Sequence, residues 1–161
     1  GDTTVTPSAA NSSILTPTLA LLPIRLDTPE ARVMLLAIAM QESELIYRRQ
    51  SGGPARGLWQ FESEGVQGVI QHPATKAIIA AFLSAISVIG TVTNIFNMLT
   101  TDDVLACAIA RLLLWTDPLP LPAVNDVDGG WQCYLRNWRP GAPRPEDWPT
   151  NHAAALAAIV Q

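Results

Sequence analysis

The apolar positions of this chain recur mostly at helical spacing. Residues 31–40 are apolar nearly all round, with Arg32 the exception, and the stretch turns polar at Gln41. A helix that is apolar on every side is expected at the centre of a fold rather than on its surface. Its start is predicted by the preceding residues: Asp27 as cap, Pro29 in the first turn, and Glu30 three after Asp27 as in a capping box. A second strong apolar helix is predicted over 74–89. A third, over 101–115, would be capped by Thr101, with Asp102 and Asp103 in the first turn where the macrodipole favours acids. Shorter helices are expected after Pro17, over 64–71, around 94–99 and over 131–138. Asn151 is expected to cap a last, Ala-rich helix that reaches Val160.

The breaks between these elements are sharp. Gly52-Gly53-Pro54 ends the polar continuation of the central helix. Residues 58–61 alternate weakly and predict a short strand or hairpin arm. The run Asp117-Pro118-Leu119-Pro120-Leu121-Pro122 cannot be helical and reads as an extended crossing, and 139–145 reads as an irregular loop. Residues 1–13 are small and polar, so a flexible arm or linker is expected there, with one domain over 14–161. Strand-like alternation is scarce elsewhere, so the fold class is mainly α.

Composition narrows the partners. Hydrophobic residues make up 48% of the chain and charged residues 15%, which fits a packed globular domain. A net charge of -4 argues against nucleic acid and offers no attraction to an anionic wall or membrane. A polymer partner would then be held by hydrogen bonds and stacking, for which five Trp supply surfaces. The longest apolar run, 77–90, contains Ser84 and Ser87 and is too short for a membrane span, and the chain does not open on a signal-peptide pattern. His72 and His152 have no Cys or His near them, so no metal site is expected, and nothing calls for a cofactor. Cys107 lies in an apolar helix, so two buried thiols are expected for Cys107 and Cys133, with one disulfide as the other arrangement. A G-x-S-x-G nucleophile elbow is absent.

The candidate chemistry gathers over 39–62. Continued helix would put Glu42 and Glu44 about 200° apart. Glu42 then shares an apolar face with Leu35, Ile38, Leu45 and Ile46, while Glu44 faces solvent, four residues from a partner in Arg48. A carboxyl at the edge of a dry cleft has a raised pKa, stays protonated near neutrality and can act as a general acid. The other role open to Glu42 is a structural ion pair with Arg56 or another nearby base. Downstream, Gly52, Gly53, Pro54 and Gly57 let backbone approach a ligand, Arg56 supplies a donor fork, and Trp59 and Phe61 could bear on a sugar or on the core. Glu62 is a second carboxylate that could activate water, or simply a helix-start residue.

Gln41-Glu42-Ser43, followed by Ala55-Arg56-Gly57-Leu58-Trp59-Gln60, resembles the motif pair of soluble lytic transglycosylases and goose-type lysozymes, with Trp59 where Met is usual. The resemblance covers about 24 residues directly. It implies a lysozyme-like fold with a small β-hairpin beside the active-site cleft. It further implies a muramidase that cleaves the β-1,4 bond between N-acetylmuramic acid and N-acetylglucosamine in a peptidoglycan glycan strand. Glu42 would be the catalytic acid and Glu62 would stand near the place of the goose-type auxiliary Asp, with Ser43, Arg56, Gly57, Trp59 and Gln60 as substrate-binding residues of the cleft. The Tyr-Asn-Ala-Gly segment usual in transglycosylases is missing. Tyr134 or Asn137, in the W-Q-C-Y-L-R-N-W-R-P-G-A-P string, is the candidate for its role. That string, with W-T-D-P-L-P-L-P, is similar to lysozyme-like proteins of tailed bacteriophages, which implies a place in a larger virion protein or in the host periplasm and cell wall. The acidic charge and the missing segment keep open a non-catalytic wall-binding or virion-structural module on the same scaffold.

Overall fold

The computed structural model describes residues 5–160 and is mainly helical. α1 (Pro7–Ala10), a π-helical turn (Asn11–Leu15) and α2 (Thr16–Ala20) follow one another with right-handed helical backbone at each junction. This corrects the expectation of an arm over 1–13. Residues 1–4 lie outside the described residues, but from Pro7 the chain is helix, and Ala10 is fully buried. The helix starts where it does because Thr6 accepts from the Ala9 amide at 3.1 Å and Pro7 needs no amide partner in the first turn.

α3 (Pro29–Ser43) is the central helix that the apolar run predicts, and every residue from Val33 to Met40 is buried. Truncating one of its Leu side chains to Ala would cost about 2–5 kcal/mol. Its cap is Thr28, which accepts from the Ala31 amide at 3.1 Å, not Asp27. Asp27 is instead engaged by Arg32, at 2.8 and 3.0 Å, and a paired carboxylate is not available to cap. The Arg32 guanidinium beside it holds the Asp27 pKa below its ordinary value.

α4 (Ser63–Gln71) packs on α5 (Lys76–Ala85), on α6 (Val92–Met98) and on α7 (Asp103–Thr116), while α2 covers another side of α7. The cap of α7 is Asp102, accepting from the Leu105 amide at 2.9 Å, one residue later than the expected Thr101. The proline-rich 117–122 segment is irregular, as its composition requires. α8 (Val127–Trp138) begins four residues before Trp131 because Asp126 accepts from the Gly129 amide at 2.9 Å. α9 (Trp148–Ile159) begins at Trp148, so Asn151 is not its cap. α3 packs most extensively against α9, and α8 contacts both. Gly130 lets these three helices converge: a Cβ there would stand 3.2 Å from Trp148 and 3.4 Å from the Met34 sulfur.

α3 stops at Ser43 because Glu44 and Leu45 both take left-handed backbone, with φ of 58° and 56°. Two successive non-glycine residues in that region cost energy, and burial of the Leu45 side chain offsets it. The reversal also removes the expected Glu44–Arg48 helical pair: Arg48 pairs with Asp103 at 2.8 Å. The following turn carries two isolated antiparallel bridges, Arg49 with Arg56 and Arg56 with Phe61, and no longer strand pairing. Cys107 and Cys133 are free and buried. Among the described residues, no helix is long and apolar enough to cross a membrane.

Candidate active site

The end of α3, the turn after it, the end of α8 and the 139–144 loop enclose a cavity of about 620 Å³. Glu42, Gln60, Glu62 and Tyr134 line it together, and Trp138 and Arg144 add to its wall. Ser43, Arg56, Gly57 and Trp59 do not line it, and each has a different task.

Ser43 is buried, and its hydroxyl lies 2.9 Å from the Ala39 carbonyl and 2.6 Å from that of Leu58. One hydroxyl carries one proton, so the shorter contact is the main bond, and it ties α3 to the turn. Trp59 is fully buried, and its indole donates to the Leu35 carbonyl at 2.9 Å. It is therefore a core residue and not a sugar platform. Gly57 has φ of 80° and donates its amide to the Arg48 carbonyl at 2.7 Å, while a Cβ there would meet the Leu99 carbonyl at 3.1 Å. Its role is to close the turn against the core. Arg56 turns away, bonding Asn97 at 3.0 Å and lying 4.6 Å from the Phe96 ring centroid. The alternative pairing of Glu42 with Arg56 is thus not formed.

Glu42 is partly buried on the cavity wall. Tyr134 donates its hydroxyl to Glu42 Oε1 at 3.2 Å, although 92 residues separate the two. Burial pushes the Glu42 pKa up to about 7, outweighing the Tyr134 hydrogen bond and the positive charge of Arg144, which both favour the carboxylate. With Oε1 accepting from Tyr134, the acid proton resides on Oε2. Burial also raises the Tyr134 pKa, and the Glu42 charge adds to it, so the phenol stays a donor. The ring of Tyr134 is clamped by a stack on Trp148 at 5.5 Å and 10° between planes, and Trp131 lies 5.4 Å away. The site thus holds a carboxyl whose pKa burial raises to about 7, aimed by a rigid phenol.

Gln60 lies in the turn at φ 51° with its amide nitrogen 2.8 Å from the Gly57 carbonyl, so it shapes the wall from a constrained backbone. Glu62 is exposed at the residue before α4 and makes no side-chain cap, which leaves its carboxylate in the cavity wall. Asn137 does not reach the cavity, since its amide donates to Asp117 at 2.9 Å.

Three further residues shape the cavity, and of them only Arg144 is unmarked in the sequence: Gln41 belongs to the Gln41-Glu42-Ser43 string and Trp138 is one of the five Trp. Gln41 is buried: its side-chain amide donates to the Arg144 carbonyl at 2.9 Å, and its Oε1 accepts from Asn151 at 2.9 Å. Arg144 returns a bond from Nη2 to the Gln41 carbonyl at 3.0 Å. This reciprocal clamp fastens the 139–144 loop beside Glu42. Trp138 donates its indole proton to the Trp59 carbonyl at 3.0 Å and places its ring 5.8 Å from Phe61. The signal for Arg144 is the Arg/Pro-rich string after Trp138, whose composition marks a loop but not the side it covers. Among the described residues, no group of three His, Cys, Asp or Glu side chains is placed to hold a metal ion. Comparison of the chain with known protein families, curated proteins and solved structures finds no match.

Proposed function

We propose that this protein is a peptidoglycan-cleaving muramidase, built on a lysozyme-like scaffold, with Glu42 as general acid. One observation carries the reading: a carboxyl with its pKa raised to about 7 lies in an open polar cavity and is aimed by Tyr134. A general acid performs best with a pKa near the working pH. Arranged beside the Gln41-Glu42-Ser43 and Gly57-Leu58-Trp59-Gln60 motifs, that carboxyl supports glycosidic cleavage better than a structural role.

The chemistry divides into two steps. The Glu42 proton passes from Oε2 to the bridging oxygen as the glycosidic bond breaks and positive charge develops on the sugar ring. In the second step Glu42, now ionised, can take back a proton from the C6 hydroxyl of the same muramoyl residue as that oxygen bonds C1, giving a 1,6-anhydro product. Alternatively Glu62 takes a proton from water, whose oxygen bonds C1, giving hydrolysis. In this reading Tyr134 does the work of the missing Tyr-Asn-Ala-Gly segment, and its bond to Oε1 favours the ionised form that the second step needs. Gln60, Trp138 and the 139–144 loop bear on the glycan strand, and the place of action is the bacterial wall.

The test is turbidity loss of exposed peptidoglycan by wild type and Glu42→Gln, with mass spectrometry of the products. A loss of activity of about 10²–10⁴-fold in the variant is expected for removal of a general acid. Equal activity in both proteins would refute the assignment of Glu42. A folded wild type without activity would favour the non-catalytic wall-binding module. A product lighter by one water identifies transglycosylation, and retention of activity in Glu62→Gln would accompany it.

A further inference from the structure

A second cavity, of about 710 Å³, lies near the opposite end of α3, between its first turn, the end of α7 and the proline-rich crossing. Glu30 in its wall and Glu42 in the first cavity are 12 residues apart on α3, about 18 Å along a helix axis. The two cavities have no lining residue in common.

Arg111 forms part of the wall of this second cavity and is only 2% exposed. Among the described residues, its guanidinium makes one hydrogen bond, from Nε to the Leu26 carbonyl at 2.8 Å. Nη1 is buried without any partner. A buried cation with an unpaired donor is costly, and such groups are retained where something satisfies them. A second guanidinium, that of Arg25, shares the Trp115 indole with Arg111: the two lie 5.5 and 5.6 Å from its centroid. Of the two carboxylates in the wall, Asp117 is already taken by Arg136 at 2.8 Å and by Asn137 at 2.9 Å. Glu30 alone remains against two arginines. Apart from Thr28, whose hydroxyl caps α3, the rest of the wall is apolar, with Trp115, Leu114, Leu119 and Leu121. The volume falls in the range of small-molecule sites, about 300–1,000 Å³.

We propose that this cavity binds a small organic carboxylate with an apolar or planar body, its carboxylate bridging Arg111 and Arg25 and its body against Trp115 and the leucines. A guanidinium fork matches a carboxylate in two parallel hydrogen bonds, which a compact inorganic anion with no apolar body would exploit without filling the remaining space. The site is independent of the Glu42 chemistry, and no bond is made or broken in it.

The probe is benzoate, titrated into the full chain at neutral pH. The readouts are the Arg111 Nε–Hε NMR signal and the thermal unfolding midpoint. Benzyl alcohol has the same body without the charge, and inorganic phosphate has charge without the body. Saturable movement of the Arg111 signal by benzoate is expected, with a raised unfolding midpoint. Binding should weaken at least about tenfold in Arg111→Met and by a smaller factor in Arg25→Ala, since a charge-assisted pair is lost in each. Benzyl alcohol and phosphate should each bind at least about tenfold more weakly than benzoate. The wild-type Arg111 signal and Arg25→Ala decide the matter should Arg111→Met fail to fold. An Arg111 signal unmoved by millimolar benzoate overturns the proposal, as does binding by Arg25→Ala and Arg111→Met as tight as that of wild type. Phosphate binding as tight as benzoate overturns the assigned ligand class.

Discussion

The two ends of α3 carry the same physical problem with opposite outcomes. At one end burial lifts the Glu42 pKa to about 7, and near the other it lowers that of Arg111 to about 10. Desolvation is the largest cause in both cases. A carboxyl starts below neutrality, so burial carries it to working pH, where it escapes the cost by holding a proton. A guanidinium starts far above neutrality and remains charged after a shift of similar size. Burial therefore makes a proton donor out of Glu42 and leaves Arg111 in want of an anion. The same desolvation has different uses depending on where a group begins.

The largest effect that could break this contrast is on catalysis. If Glu42 is a proton donor, activity on peptidoglycan should fall on the alkaline side of pH 7, about tenfold per pH unit, as the acid form is lost. Rates measured from pH 5 to 9 check this, and a rate that climbs through pH 8 would contradict the acid role.

Next comes stability. The Glu42 pKa is raised on folding, from an ordinary value of 4.5 to about 7. The folded state thus binds the proton more tightly, and stability falls as pH rises between those values. Glu42→Gln has no such loss. It should match wild type below pH 4.5 and exceed it above pH 7 by up to about 3 kcal/mol, at roughly 1.4 kcal/mol per pKa unit. Denaturant unfolding at pH 4 and pH 8 measures the difference, and a gain that is the same at both would place the cause elsewhere.

Arg111→Met probes the other end. Removing a buried cation at neutral pH relieves its desolvation, while loss of the bond to the Leu26 carbonyl takes part of the gain back. A net gain of about 1–2 kcal/mol is expected. A loss of more than about 3 kcal/mol would mean that the Leu26 bond and the Trp115 contact outweigh the burial cost.

The smallest effect is that of Tyr134→Phe. The Tyr134 hydrogen bond favours ionised Glu42, so its removal should raise the Glu42 pKa further and move the alkaline limb of the pH–rate profile upward. The stability cost should be about 0.5–1.5 kcal/mol, the worth of one ordinary hydrogen bond. An unmoved limb in a folded, active variant would disconnect Tyr134 from the acid.

The sequence alone determined the helical class, the central place of α3 and the position of Glu42 at its end. Each depends on local patterns: the apolar run over 31–40, the break at Gly52-Gly53-Pro54, and one carboxyl that continues an apolar face. From α3 onward helix starts were legible to within a few residues, while the start at Pro7 was not. Capping misled at Asp27, Thr101 and Asn151 because each side chain had another partner: Arg32 five residues on for Asp27, the Met98 carbonyl three residues back for Thr101, and Gln41 across the fold for Asn151. The turn residues were legible as a turn but not in their orientation. Trp59 and Arg56 lie in the motif, yet one enters the core and the other faces Phe96, since alternation along four residues does not say which side the core occupies. Only the tertiary structure brought Tyr134 onto Glu42 across 92 residues, folded the Gln41–Arg144 clamp beside them, and left Arg111 with an unpaired donor. Those contacts join segments distant in the chain, and the depth of burial that sets the two pKa values comes from packing that no local spacing encodes.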